Sequence, residues 1–237
     1  MFIDSDDFIA EDTIKNLLEF LVTDNLDFVM GGYIKYYGDS PKMPSKSNKK
    51  VLSPKDIFNI AITKDDIVSV PWGKLFMKSL FSSIKFDEST NFAEDMLIFY
   101  RLLRISKKIG YDSNIYYFYN QESNSLVRSA YSKTKLKRIE AAKEWVEFSC
   151  ERFPSLYEKT CAYYLNAIIG EFSKILFWDD ELAGKKITEF RKIILNNYIF
   201  INKAPYIKRK NKLKAFLIKN NLLILFRMIL RTKGIGE

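Results

Sequence analysis

Met1-Phe2-Ile3-Asp4-Ser5-Asp6-Asp7-Phe8-Ile9 opens the chain, and the reading of these nine residues decides the fold. Two apolar residues, Phe2 and Ile3, run straight into three carboxylates spread over four positions. The pattern predicts the end of a buried strand with negative charge gathered at its carboxyl end. In open α/β sheets that is where ligands sit. Carboxylates packed so closely repel one another unless a cation neutralises them. Mg2+ or Mn2+ is commonly held by one or two carboxylates together with substrate phosphates. The same residues also read as a solvated turn in which Asp7 caps the following helix.

Outward from this stretch, helices and strands mix. Ala10 to Leu21 reads as a helix with Ile14, Leu17, Leu18 and Leu21 on one face. Asp27 to Lys35 reads as a strand, and the Pro-, Lys- and Ser-rich residues 38–50 read as a loop or flap. Ser53-Pro54-Lys55-Asp56 supplies an N-cap, a proline at the first helical position and an acid two residues on, so a helix starts there. Ala93 to Lys107 carries apolar residues in helical register, and Asn114 to Tyr119 is an aromatic strand. From about Lys133 every segment is helical in pattern: 133–152, 155–177, 181–197 and 206–232. The expected organisation is therefore α/β over residues 1–132 and all-α over 133–237, with the boundary near Ser132.

Composition removes several chemistries. The chain has 237 residues and no His, so a Ser-His-Asp triad, a Cys-His dyad and a His-ligated zinc site are all excluded. Cys150 and Cys161 lack CxxC spacing and read as two small buried hydrophobes in a reducing compartment. The first residues do not read as a secretory signal, and no apolar run is long enough to span a bilayer. Gly31-Gly32 lacks the spacing of a dinucleotide loop, and there is no Walker A sequence.

Charge is partitioned. Residues 191–237 hold twelve Lys or Arg and one acid, net +11, whereas residues 1–190 sum to −2. Within that tail Leu213, Phe216, Leu217, Leu222, Phe226, Ile229 and Leu230 keep helical spacing among basic residues. A basic amphipathic helix suits an anionic membrane surface, here through residues 205–233. The same stripe also reads as a helix packed on its own domain with a solvated basic face. Nucleic acid is set aside because no recognised binding motif accompanies the charge.

Two further stretches carry candidate chemistry. Glu94-Asp95 opens the 93–107 helix, where the helix dipole alone favours acids, and where a carboxylate could take a proton from a substrate hydroxyl. Val70-Pro71-Trp72-Gly73-Lys74-Leu75-Phe76 sets an aromatic and a cation beside a glycine, as a sugar-stacking wall or as a packed aromatic with a surface lysine.

In order and spacing, MFIDSDDFI (1–9), LDFVMGGY (26–33), VPWGKLFMKSLF (70–81) and the span from NFAEDM (91–96) to YNQESNSLVRS (119–129) together resemble the second half of a family 2 glycosyltransferase. The bacterial enzymes of capsular, exopolysaccharide and cell-wall synthesis are the nearest likeness, over about residues 1–135. The resemblance implies the C-terminal part of a GT-A-like mixed sheet with flanking helices, followed by an all-α extension. It implies that Asp4 and Asp6 hold Mg2+ or Mn2+ against a nucleotide-sugar diphosphate, with Arg128 also meeting phosphate. It implies Asp95 as the base, with Glu94 beside it, and Trp72 and Lys74 near a glycan or lipid-linked acceptor. It places the protein in the cytoplasm, at the inner face of the plasma membrane.

Three features depart from the family. Gly73 stands where Asn is frequent, Asn120 stands where a basic residue is frequent, and the nucleotide-binding half that precedes the Asp-x-Asp strand is absent from this sequence. The last departure leads one to expect an exposed sheet edge that favours pairing with another protein chain. A non-catalytic module binding a partner transferase or membrane is the alternative reading. A phosphatase of the haloacid-dehalogenase type ranks below both, since Phe8 stands where that pattern has Thr or Val.

Overall fold

The computed structural model describes residues 1–37, 48–63, 66–86, 93–121, 136–178 and 180–231. It separates into two compact units, Met1–Lys135 and Leu136–Glu237.

The first unit is built on a mixed sheet. Its two long strands, β2 (Phe28–Tyr36) and β5 (Ile109–Asn120), run parallel. β4 (Lys74–Phe76) lies antiparallel on the free side of β2. The free side of β5 is shared by β3 (Lys49–Leu52) and the short β1 (Phe8–Ile9), both antiparallel. Helix α1 (Thr13–Thr23) packs Leu17, Phe20 and Leu21 against Leu26, Val29 and Tyr116. Helices α2 (Pro54–Thr63) and α3 (Glu94–Ile105) bury Ile57, Phe58, Phe99 and Leu103.

Local chemistry sets the element ends. Ser53 Oγ accepts the Asp56 N–H, and Asp56 Oδ2 accepts the Ser53 N–H, a reciprocal cap that starts α2 where the sequence predicts. α1 stops in a Schellman turn. Asn25 adopts a left-handed φ of 53°, and the Leu26 and Asn25 amides close on the Leu21 and Val22 carbonyls. The β2–β5 pairing is irregular on either side of Gly32. A Cβ at Gly32 would stand 2.5 Å from the Asn114 carbonyl oxygen, so only glycine fits this close backbone approach.

The second unit is helical throughout its described residues. It comprises α4 (Lys137–Arg152), α5 (Tyr157–Ile175), α6 (Glu181–Asn196), α7 (Tyr198–Lys203), α8 (Arg209–Lys219) and α9 (Leu223–Arg231). Trp145 of α4 is fully buried and stacks on Tyr163 of α5, with centroids 5.4 Å apart. Asp180 caps α6 by accepting the Ala183 N–H at 2.8 Å.

Several expectations are corrected. Phe2 and Ile3 are not a buried strand end: Phe2 forms a single parallel bridge to Trp72, and both side chains are exposed. The first helix begins at Thr13, not Ala10, and Ile14 and Leu18 of its supposed inner face are exposed. Lys49 and Lys50 belong to a strand, because β5 is long enough to offer them a partner, while residues 38–47 lie outside the described residues. The segment 206–232 is two helices, parted by a second Schellman turn at Asn220-Asn221, with Asn221 at φ 59°. Cys150 is exposed and Cys161 half-buried, so neither is a core hydrophobe.

Candidate active site

The acidic opening is a turn held on β5 by one tyrosine. The Asp7 N–H donates to the Asp4 carbonyl at 3.1 Å, closing the turn. The Asp4 N–H donates to Tyr117 Oη at 3.1 Å, and Tyr117 Oη–H donates to Asp7 Oδ2 at 2.5 Å. The Asn120 N–H donates to Asp7 Oδ1 at 2.8 Å. Asp7 thus bonds to β5 and is not a helix cap, since α1 starts six residues later at Thr13. With Asp7 so engaged, Asp4 and Asp6 remain on the exposed side of the turn. Burial and the bond to Asp7 push the Tyr117 hydroxyl far above its ordinary pKa, so it stays a protonated donor.

Tyr117 also carries the aromatic wall. Its buried ring stacks on Trp72 with centroids 4.5 Å apart and 14° between planes, and Trp72 stacks again on Tyr119 at 5.3 Å. Tyr33, which sits beside Tyr117 in the β2–β5 register, meets Trp72 edge-on. Gly73 lets the chain turn there: its φ is +67°, and a Cβ would stand 3.5 Å from the Tyr117 ring. That left-handed conformation is one that Asn, among residues with a side chain, tolerates better than most. Lys74 is buried, and its ammonium turns back onto its own loop, donating to the Val70 carbonyl at 2.5 Å. Trp72 presents little ring to solvent for the same packing reason.

Glu94 and Asp95 form the first turn of α3, after Ala93 in a left-handed conformation with φ 65°. Asp95 Oδ1 accepts the Met96 N–H at 2.6 Å. Glu94 belongs to the same electrostatic environment as the acidic turn. Asp4 holds its proton more tightly than an ordinary carboxyl because of partial burial first, then the charges of Asp7, Asp6 and Glu94. Of these charges Glu94, at the α3 tip, contributes least. Arg128 lies outside the described residues.

Hard oxygen donors from Asp4 and Asp6 suit Mg2+ or Mn2+. Among the described residues, no three Asp, Glu or Cys side chains converge to hold a metal ion unaided. Two carboxylates are a set with which Mg2+ is commonly held when substrate phosphates and water complete its shell. Tyr117 and Tyr119 were not singled out from sequence, and Asp7 was read there only as part of the acidic cluster or as a helix cap. Alternation along NIYYFY does put Tyr117 and Tyr119 on one face, but only strand pairing aims that face at the acidic turn.

The raised Asp4 value has a thermodynamic consequence. The folded chain binds this proton more tightly than the unfolded chain, so stability falls as pH rises from near 3.8 through the folded value, and stays lowered above it. Asp4→Asn is expected to raise the thermal midpoint at pH 7 without divalent cations, and the gain should vanish in acid. Scanning calorimetry across that pH range checks this; an equal or lower midpoint at pH 7 contradicts it.

Comparison with known proteins agrees with this architecture. Residues 1–93 match the profile of Glycosyl transferase family 2. Glycosyltransferase GlyA of Streptococcus pneumoniae is 25% identical over 138 residues, covering 54% of this chain and 19% of that protein. The chain thus spans about a fifth of its curated relative's length. The crystal structure of S. aureus TarS 1–349 with UDP-GlcNAc superposes with a TM-score of 0.61 at 17% identity, over 100% of this chain and 68% of that one. The UDP complex of the same TarS segment gives 0.58, over 100% and 67%. Sequence profile and fold thus agree: residues 1–93 are similar to family 2 of the glycosyltransferases, and the chain is similar in fold to a GT-A-type glycosyltransferase structure.

Proposed function

We propose that this chain takes part in sugar transfer from a nucleotide-sugar donor to a glycan or lipid-linked acceptor, supplying cation-binding and acceptor-side residues. The reaction would serve surface-polysaccharide synthesis at the cytoplasmic face of the plasma membrane. The observation that carries the reading is the anchored acidic turn: Tyr117 and the Asn120 amide hold Asp7 on β5, while Asp4 and Asp6 are exposed. The named ligands of the TarS structures, UDP-GlcNAc and UDP, make a uridine diphosphate the donor group to test.

In this mechanism Asp4 and Asp6 bind the cation, with Tyr117 fixing their turn through the Asp4 amide and Asp7. A divalent cation supplies charge neutralisation for the departing diphosphate when bound. Asp95 accepts the acceptor hydroxyl proton, and that oxygen forms the new bond at the anomeric carbon as the bond to the diphosphate breaks. Trp72 and Lys74, both buried, act on the acceptor side only through the loop they brace. The alternative, a non-catalytic module for a partner transferase, predicts no nucleotide binding.

Titration calorimetry of UDP with Mn2+ separates the two. The unaltered chain is expected to bind, and Asp6→Ala to weaken binding by about 10–100-fold through loss of a charged contact. No heat from the unaltered chain, or equal affinity in the variant, removes the reading.

A further inference from the structure

The basic tail has two apolar faces. One faces inward: Ala215, Leu217 and Ile218 of α8 and Phe226 and Leu230 of α9 are buried in the helical unit. The other faces out. On α8 Leu213 and Phe216 are exposed, and on α9 Ile224 is 80%, Leu225 46% and Met228 61% exposed. The spacing 213/216 and 224/225/228 puts each set on the helix side opposite its buried residues. The single stripe expected from sequence is thus divided, and Leu213, Phe216 and Leu222 leave it for the surface.

The outward side chains are set among cations. Arg209, Lys210, Lys219, Arg227 and Arg231 are all exposed on the same two helices, and from Phe190 to Gly236 the sequence has no Asp or Glu. A basic surface without apolar side chains would suit nucleic-acid phosphates equally well. Large aliphatic residues interleaved with basic ones suit the headgroup boundary of an anionic bilayer, where stems and rings enter the acyl region and cations meet phosphate. Among the described residues no helix is long and apolar enough to cross a membrane, so the contact is interfacial.

We infer that the outward face of α8 and α9, centred on Ile224 and Met228, is an interfacial docking surface for anionic lipid. The inference deepens the membrane placement proposed above and is independent of the catalytic reading. Its occupant is argued from charge complementarity and from the exposed apolar residues.

The test is co-sedimentation of the full chain with phosphatidylcholine vesicles, with and without about one third phosphatidylglycerol. The unaltered chain should pellet with the anionic vesicles at low salt and stay in solution with the neutral ones. The double variant Ile224→Ser, Met228→Ser should bind about tenfold more weakly or worse. Both positions are exposed, so its thermal midpoint should match that of the unaltered chain. Should that midpoint fall, Arg231→Glu with Lys210→Glu supplies the second probe, with the same expected loss.

Failure of the unaltered chain to bind anionic vesicles overturns both the surface and the membrane placement. Full binding in both double variants overturns this surface alone and leaves the placement standing. Concentration-dependent dimerisation abolished by Ile224→Ser, Met228→Ser, or RNA binding in place of vesicle binding, would assign the face to another partner and likewise overturn the proposal.

Discussion

Asp95→Asn is expected to lower the rate of sugar transfer by about 10²–10⁴-fold, the usual share of a positioned general base. Asn keeps the size of the side chain and an oxygen that can still accept the Met96 N–H, so the first turn of α3 should hold. It cannot accept the acceptor proton. Affinity for UDP with Mn2+ should change little, because in the proposed mechanism the cation sits on Asp4 and Asp6. The measurement is radiolabelled transfer from a UDP-sugar, paired with the calorimetry above. Equal rates in variant and unaltered chain would remove Asp95 from the chemistry. A parallel loss in UDP affinity would move it to donor binding instead. Glu94→Gln acts differently: it removes a charge that raises Asp4, so it should lower the Asp4 pKa without removing the base.

The second large effect is on Tyr117. Tyr117→Ala is expected to destabilise the N-terminal unit by about 3–5 kcal/mol, the usual loss for deleting a buried aromatic ring. Tyr117→Phe keeps the stacking on Trp72 and loses only the hydroxyl. Its cost should be about 1–3 kcal/mol, because the Asp4 amide then loses its acceptor and Asp7 Oδ2 its donor, with only the Asn120 N–H left on that carboxylate. Urea unfolding of the two variants beside the unaltered chain apportions ring and hydroxyl. If Phe costs as much as Ala, packing is not what the ring contributes. If Phe costs nothing, the hydroxyl does not anchor the turn.

These two residues also show how far sequence reasoning reaches. The place of Asp95 was legible because it belongs to a local pattern, two acids at a helix start, and α3 does begin there. Tyr117 was not, because its importance comes from the register that sets Phe8 opposite Phe118 and Ile9 opposite Tyr117. Nothing near Tyr117 in sequence names Asp4 or Asp7 as its partners. Lys74 shows the converse. Beside Trp72 and Gly73 it reads as a surface handle, yet the loop folds its ammonium onto the Val70 carbonyl.

Short-range chemistry was enough for the elements and the charge partition. The Ser53–Asp56 cap, the strands read at Asp27 and Asn114 and the helical character of the residues after Lys133 follow from periodicity and capping alone, which act within a few residues, whereas the parallel pairing of the strands and the break within 206–232 do not. The net +11 of the last 47 residues is likewise a property of the chain before it folds. Tertiary structure decided which faces are covered. Leu17 and Leu18 are equally apolar, but only Leu17 meets the sheet, and Leu217 and Phe216 divide the same way. Burial depends on neighbours brought together across the whole chain, so an apolar residue announces a demand for cover, while only the packed fold shows whether that demand is met.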